Sequence, residues 1–149
     1  MYRAQTVRLR KNYGTLCDFL IFINKNKEQR ERKILNNIID EGINILTEDP
    51  CNNSNKIKII ESNENREPKG FIIDESILNK IEKQYKKYKL LYKEKYNITL
   101  CLGTFYEMLI YLWCMRNFTV EDFQYINNRY IKGKWGFEIK ESFGMEKIG

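Results

Sequence analysis

Thr6, Arg8 and Arg10 stand at every second position of the segment Gln5-Thr6-Val7-Arg8-Leu9-Arg10. That spacing puts them on one face of a β-strand, with Val7 and Leu9 on the other. The planar fork of an arginine matches O6 and N7 of guanine, and a two-stranded β-ribbon is narrow enough to enter the major groove of DNA. The three outward residues are therefore candidate base readers. Arg3 and Lys11 add to the same charge: the first eleven positions hold Arg3, Arg8, Arg10 and Lys11 and no acid, the local footprint that contact with phosphates needs.

Other residue types that could do chemistry point away from catalysis. The 149 residues include no His, which removes the commonest general base and metal ligand together. Cys17, Cys51, Cys101 and Cys114 form no Cys-x-x-Cys pair, so no zinc site is nucleated. Cys17, Cys101 and Cys114 fall inside apolar helical patterns, where a cysteine is expected as a small buried hydrophobe. Gly133-Lys134-Trp135-Gly136 is too short for a phosphate-cradling loop and precedes a strand rather than a helix, so it reads as a turn. The carboxylate pairs Asp74-Glu75 and Glu121-Asp122 fall in first turns of helices, where they complement the dipole. Neither an enzyme nor a cofactor is expected.

The elements that must carry the basic segment follow from periodicity. After Tyr13-Gly14, Leu16, Phe19, Leu20 and Ile23 recur at helical intervals and predict a first helix ending near Asn24. Asn26 with Gln29 offers a reciprocal cap, and Leu35, Ile38, Ile39, Gly42 and Leu46 mark one stripe of a second helix that stops before Pro50. Residues 49–68 are rich in Asn and bracketed by Pro50 and Pro68, with only Ile57 to Ile60 dense enough for a short strand. This segment is expected to be a linker between residues 1–48 and a helical domain over 69–149. In that second part Gly70 to Ile73 reads as a strand and Asp74 as a cap. A helix of about six turns follows, to Tyr96, with a lysine-rich outer face. Phe105 to Met115 leaves hardly any polar face and is expected as core or interface. Thr119 caps a helix through Tyr130, with Gly133 just past its end, and Trp135, Phe137 and Ile139 alternate as a terminal strand.

Composition bounds the class. Hydrophobic residues make up 42% and charged residues 31%, with 26 Lys plus Arg against 20 Asp plus Glu, a formal net charge of +6. A chain of this size can bury a core of its own. The longest apolar run, Met108 to Met115, is far below the roughly 20 residues of a membrane span. With a charged start in place of an apolar leader, a cytoplasmic protein that does not contact membrane is expected. The abundance of Ile, Lys and Asn beside a single Ala accounts for part of the lysine excess as compositional bias.

A strand flanked only by helices leaves its backbone groups unpaired, so the segment at Gln5 needs a mate. Pairing with a second copy of the chain would make an antiparallel ribbon, bury Val7 and Leu9 on the helices and double the outward Thr6, Arg8 and Arg10.

The order of strand, helix, the Asn26-Lys27-Glu28-Gln29-Arg30 turn and then Ile34 to Leu46 resembles the ribbon-helix-helix superfamily. More narrowly, Ile38, Ile39, Gly42, Ile43 and Leu46 resemble the second helix of ParR-type plasmid centromere-binding proteins. The resemblance covers about a third of the chain. It implies a mainly α fold with short β: an intertwined ribbon-helix-helix dimer at the N-terminus and a helical C-terminal domain. It further implies base contacts by Thr6, Arg8 and Arg10, and a phosphate held at Asn26 and Lys27, with Arg3, Lys11 and Arg30 also on the backbone. The implied partners are double-stranded DNA, a homodimer or higher array, and a filament-forming ATPase. Residues 71–115 also fit a drifted second copy of the unit, as in TraY-like relaxosome proteins, although Gly70 and Ile72 would then occupy base-reading positions without a polar group. Partition and autoregulatory repression share this chemistry. An alternative from another class is a protein-binding adaptor or host-targeting inhibitor, presenting the aromatic helix Phe105 to Trp113 with Tyr125, Tyr130 and Trp135.

Overall fold

The structure, a computed structural model, describes residues 1–25, 31–48, 57–60, 64–133 and 135–139. In chain order the elements are β1 (Tyr2–Arg10), α1 (Lys11–Asn24), α2 (Glu31–Thr47), β2 (Ile57–Ile59), β3 (Arg66–Asp74), α3 (Glu75–Tyr96), α4 (Leu102–Asn117), α5 (Val120–Ile126), a π-helical turn (Asn127–Ile131) and β4 (Phe137–Ile139).

The alternation seen at Gln5 to Arg10 extends back to Tyr2, and its mate lies in the same chain. β1 pairs antiparallel with β3, from Tyr2 opposite Asp74, through Thr6 opposite Gly70, to Arg10 opposite Arg66. The ribbon expected between two copies forms within one, so the intertwined dimer is not what completes it. Pro68 and Gly70 weaken β3 as a strand on paper. A two-stranded ribbon leaves one edge of each strand unpaired, however, and a proline is tolerated at such an edge.

The two strands bury the same positions. Val7 and Leu9 in β1, and Phe71 and Ile73 in β3, face inward and are buried. Ala4, Thr6 and Arg8, and correspondingly Pro68, Gly70 and Ile72, face outward and are exposed. Each strand runs directly into a helix, α1 at Lys11 and α3 at Glu75, so strand, helix and helix occur twice in succession. The second helices repeat too: Ile34, Leu35, Ile38, Ile39 and Ile43 of α2 are spaced as Phe105, Tyr106, Leu109, Ile110 and Cys114 of α4, and all are buried. They cross closely, for a methyl group at Gly42 would lie 2.5 Å from the Leu109 carbonyl oxygen.

Matched polar groups fix each unit to the other. The Arg10 backbone N–H, where β1 turns into α1, donates to Glu107 Oε2 of α4 at 2.7 Å. The Asp74 N–H, at the same point of the second unit, donates to Asn36 Oδ1 of α2 at 2.8 Å. These are the arrangements a local two-fold through the ribbon produces.

Local chemistry accounts for the helix ends. Asp74 accepts from the Ser76 N–H at 3.0 Å and Thr119 from the Asp122 N–H at 3.2 Å. Asn97 closes α3 in the left-handed region at φ 55°. α3 has 22 residues against 14 in α1. Its added turns carry Tyr92, whose hydroxyl donates to the Ile57 carbonyl at 2.8 Å, and just before them the Tyr88 hydroxyl donates to the Leu46 carbonyl at 3.5 Å. β2 pairs antiparallel with β4, Ile57 opposite Ile139 and Ile59 opposite Phe137.

One continuous core joins all of this. The expected division into 1–48, a linker and 69–149 therefore does not separate two cores: β3 begins inside the expected linker, and α2 packs on α4. The aromatic helix Phe105 to Met115 is core. Cys17 and Cys114 are buried, whereas Cys101, expected inside an apolar pattern, is exposed at the start of α4.

Candidate nucleic-acid interface

The outer face of the ribbon has low relief. Opposed residues on it are Ala4 with Ile72, Thr6 with Gly70, and Arg8 with Pro68. A Cβ added at Gly70 would meet nothing within 4 Å. Beyond Ala4 and the ring of Pro68, the side chains that project there come from Thr6, Arg8 and Ile72, the last 43% exposed. Arg8 lies along the ribbon, donating from Nη2 to the Arg66 carbonyl at 2.8 Å, and Arg66 Nη1 returns a bond to the Arg8 carbonyl at 3.1 Å.

Arg10 does not join that face. It is 3% exposed and turns inward at the junction of β1 and α1. Its Nε donates to Glu107 Oε1 at 3.0 Å and its Nη2 to the Trp135 carbonyl at 2.7 Å. The guanidinium lies 5.0 Å from the centre of the Tyr13 ring, and the Tyr13 hydroxyl donates to the same Trp135 carbonyl at 2.6 Å. Burial pushes the Tyr13 hydroxyl well above its ordinary pKa. Gly136, at φ 87°, is packed against the Arg10 guanidinium where any side chain would overlap it. The physical reason for the correction is Glu107: fully buried, it needs cations, since a carboxylate away from water is stable only when paired. Arg66, opposite Arg10 across the ribbon, supplies the second, with Nη1 at 3.1 Å from Glu107 Oε2, and adds a bond to Thr104 Oγ1 at 2.7 Å. The terminal residues of both strands thus close on one acid, which also sits at the N-terminal end of α1.

The remaining candidates disperse. Arg3 Nη1 is 3.5 Å from Glu75 Oε1, both exposed. Lys11 is exposed and lines an open cleft of about 720 Å³ beside Asn12, Thr15, Arg129 and Lys132. Asn26, Lys27 and Arg30, with the expected cap at Asn26, lie outside the described residues. The start of α4 comes close to the ribbon, because a methyl at Gly103 would overlap the Arg8 carbonyl oxygen. Sequence reasoning missed Glu107 and Arg66, whereas Ile72 lies on the outward face where the reading of residues 71–115 as a second copy put it. The lone acid in an otherwise apolar helix was a usable signal for the first, since such an acid must have a cation beside it.

The surface expected of an adaptor is mostly interior. Phe105, Tyr106, Tyr111 and Trp135 are buried, and Trp135 stacks on Phe123 with ring centres 4.8 Å apart. Tyr125 is exposed, while Tyr130 packs on Phe19 at 4.6 Å. Among the described residues no three or more His, Cys, Asp or Glu group together to hold a metal ion, and no helix is long and apolar enough to cross a membrane. No family model, no curated protein and no solved structure matches the chain.

Proposed function

We propose that the protein is a sequence-specific double-stranded DNA-binding protein of ribbon-helix-helix architecture. In this reading the two units are fused in one chain, and the β1–β3 ribbon enters the major groove. The observation that carries it is the exposed outer face of a two-stranded antiparallel ribbon bearing Thr6 and Arg8. A ribbon of this width fits the groove, and an arginine there reads guanine. The repeated strand-helix-helix order, the α2–α4 crossing and the net charge of +6 support the same reading. Thr6 and Arg8 are the base readers. Arg3 and Lys11 are placed near the ends of the ribbon for phosphates, and Arg10 serves the fold.

The plasmid-partition form of the proposal adds arrays on repeated sites and hand-over to a filament-forming ATPase in the cytoplasm. The repressor form needs DNA alone. Selection of duplexes from a random pool by the full chain, followed by mobility shifts across a salt series, tests the common premise. An enriched sequence and a steep fall of affinity with salt are expected, with Arg8→Ala losing roughly 1 to 3 kcal/mol of discrimination at one base pair. Equal binding of Arg8→Ala and the parent to selected and scrambled duplexes would refute it.

A further inference from the structure

Two identical strands would present a two-fold symmetric face and favour a palindromic site. This ribbon has the two-fold in its backbone and breaks it in its side chains. Residues at corresponding places in the two strands are Thr6 and Gly70, and Arg8 and Ile72. Thr6 lies opposite Gly70 at the middle of the outer face, so the half with Arg8 offers a guanidinium and the other half an aliphatic group, with space for close approach at the glycine between them. An exposed isoleucine on a surface facing the major groove has one apolar partner available there, the 5-methyl group of thymine.

We propose that a single chain reads a non-palindromic duplex, with Arg8 on a guanine in one half and Ile72 on the methyl group of a thymine in the other. This rests on the DNA-binding reading and specifies its target. The spacing follows from the ribbon. Arg8 is opposite Pro68, and Pro68 to Ile72 spans four residues, or about 13 Å at roughly 3.3 Å per residue. At about 3.4 Å per base pair the guanine and thymine lie about four base pairs apart.

The test uses the full chain and a duplex it selects from a random pool, with each thymine replaced singly by deoxyuridine, which lacks only the methyl group. One substitution, about four base pairs from the guanine sensed by Arg8, is expected to weaken binding about fourfold, the effect of one buried methyl. Ile72→Ala should bind the thymine and deoxyuridine duplexes equally while keeping its preference for the guanine, and mass measurement of the complex should give one chain per site. Sequence-selective binding that no deoxyuridine substitution weakens, or whose methyl sensitivity survives in Ile72→Ala, overturns this inference and leaves DNA recognition standing. A palindromic selected site bound by two chains also overturns it. Absence of any sequence preference removes the DNA-binding reading itself.

Discussion

Glu107 accepts from the Arg10 backbone and from two guanidiniums while fully buried. Coulomb attraction in so dry a place is strong, but desolvating three charges offsets most of it, so the cluster specifies geometry more than it adds stability. Removing one member is different, because Arg10 would stay buried without a counter-charge. Glu107→Ala is expected to destabilise the fold by about 3 to 5 kcal/mol in urea unfolding. A loss under 1 kcal/mol would show that water replaces the carboxylate. Buried acids give a second expectation. Burial raises the Cys17 thiol from 9.0 to about 12 and the Tyr88 and Tyr111 hydroxyls from 10.0 to about 12. Above about pH 9 the unfolded chain releases protons that the folded chain keeps, so the unfolded state binds fewer and stability falls as pH rises. The urea midpoint should drop progressively from that pH upward; an unchanged midpoint at pH well above 10.0 would contradict the burial of these groups.

At the scale of elements, the α2–α4 crossing and the start of α1 make contrasting demands on glycine. At Gly42 a methyl would press on the Leu109 backbone, with its carbonyl carbon at 3.0 Å, and a backbone contact has little room to relax. Gly42→Ala should cost about 1 to 3 kcal/mol through overpacking. Gly14, inside α1, has nothing within 4 Å of an added Cβ. Gly14→Ala should stabilise by roughly 0.4 to 1 kcal/mol, because the unfolded chain loses conformational freedom and the helix gains a better former. Thermal unfolding of the two variants side by side checks both signs. The opposite order of melting temperatures would mean that α2 and α4 do not cross at Gly42.

For the whole molecule, the consequence of pairing β1 with β3 is that the ribbon closes without a second copy. Tethering makes strand association intramolecular, so it does not depend on the concentration of the protein. The free protein is therefore expected to scatter light as one chain of 18.0 kDa over a wide range of concentration, with unfolding midpoints that do not depend on it. A mass of two chains that dissociates on dilution with loss of helix would argue for strand exchange between copies.

Patterns that act over a few residues were legible in the chain: the alternation at Val7 and Leu9, the helical stripes of α1 to α4, the caps at Asp74 and Thr119, the turn at Gly133, and even the short strands at Ile57 and Phe137. Each depends on neighbours within a turn or a pleat, so local physics sufficed. The outward places of Thr6 and Arg8 were legible for the same reason. Decisions between distant residues were not. That β1 takes β3 as its mate depends on a register across 64 residues in which Pro68 and Gly70 speak locally against a strand. That Arg10 leaves the face its spacing assigned depends on Glu107, 97 positions away, whose burial requires a cation. A strand's periodicity sets which side a residue faces only while the strand continues; where it turns into a helix, the nearest unpaired charge decides instead.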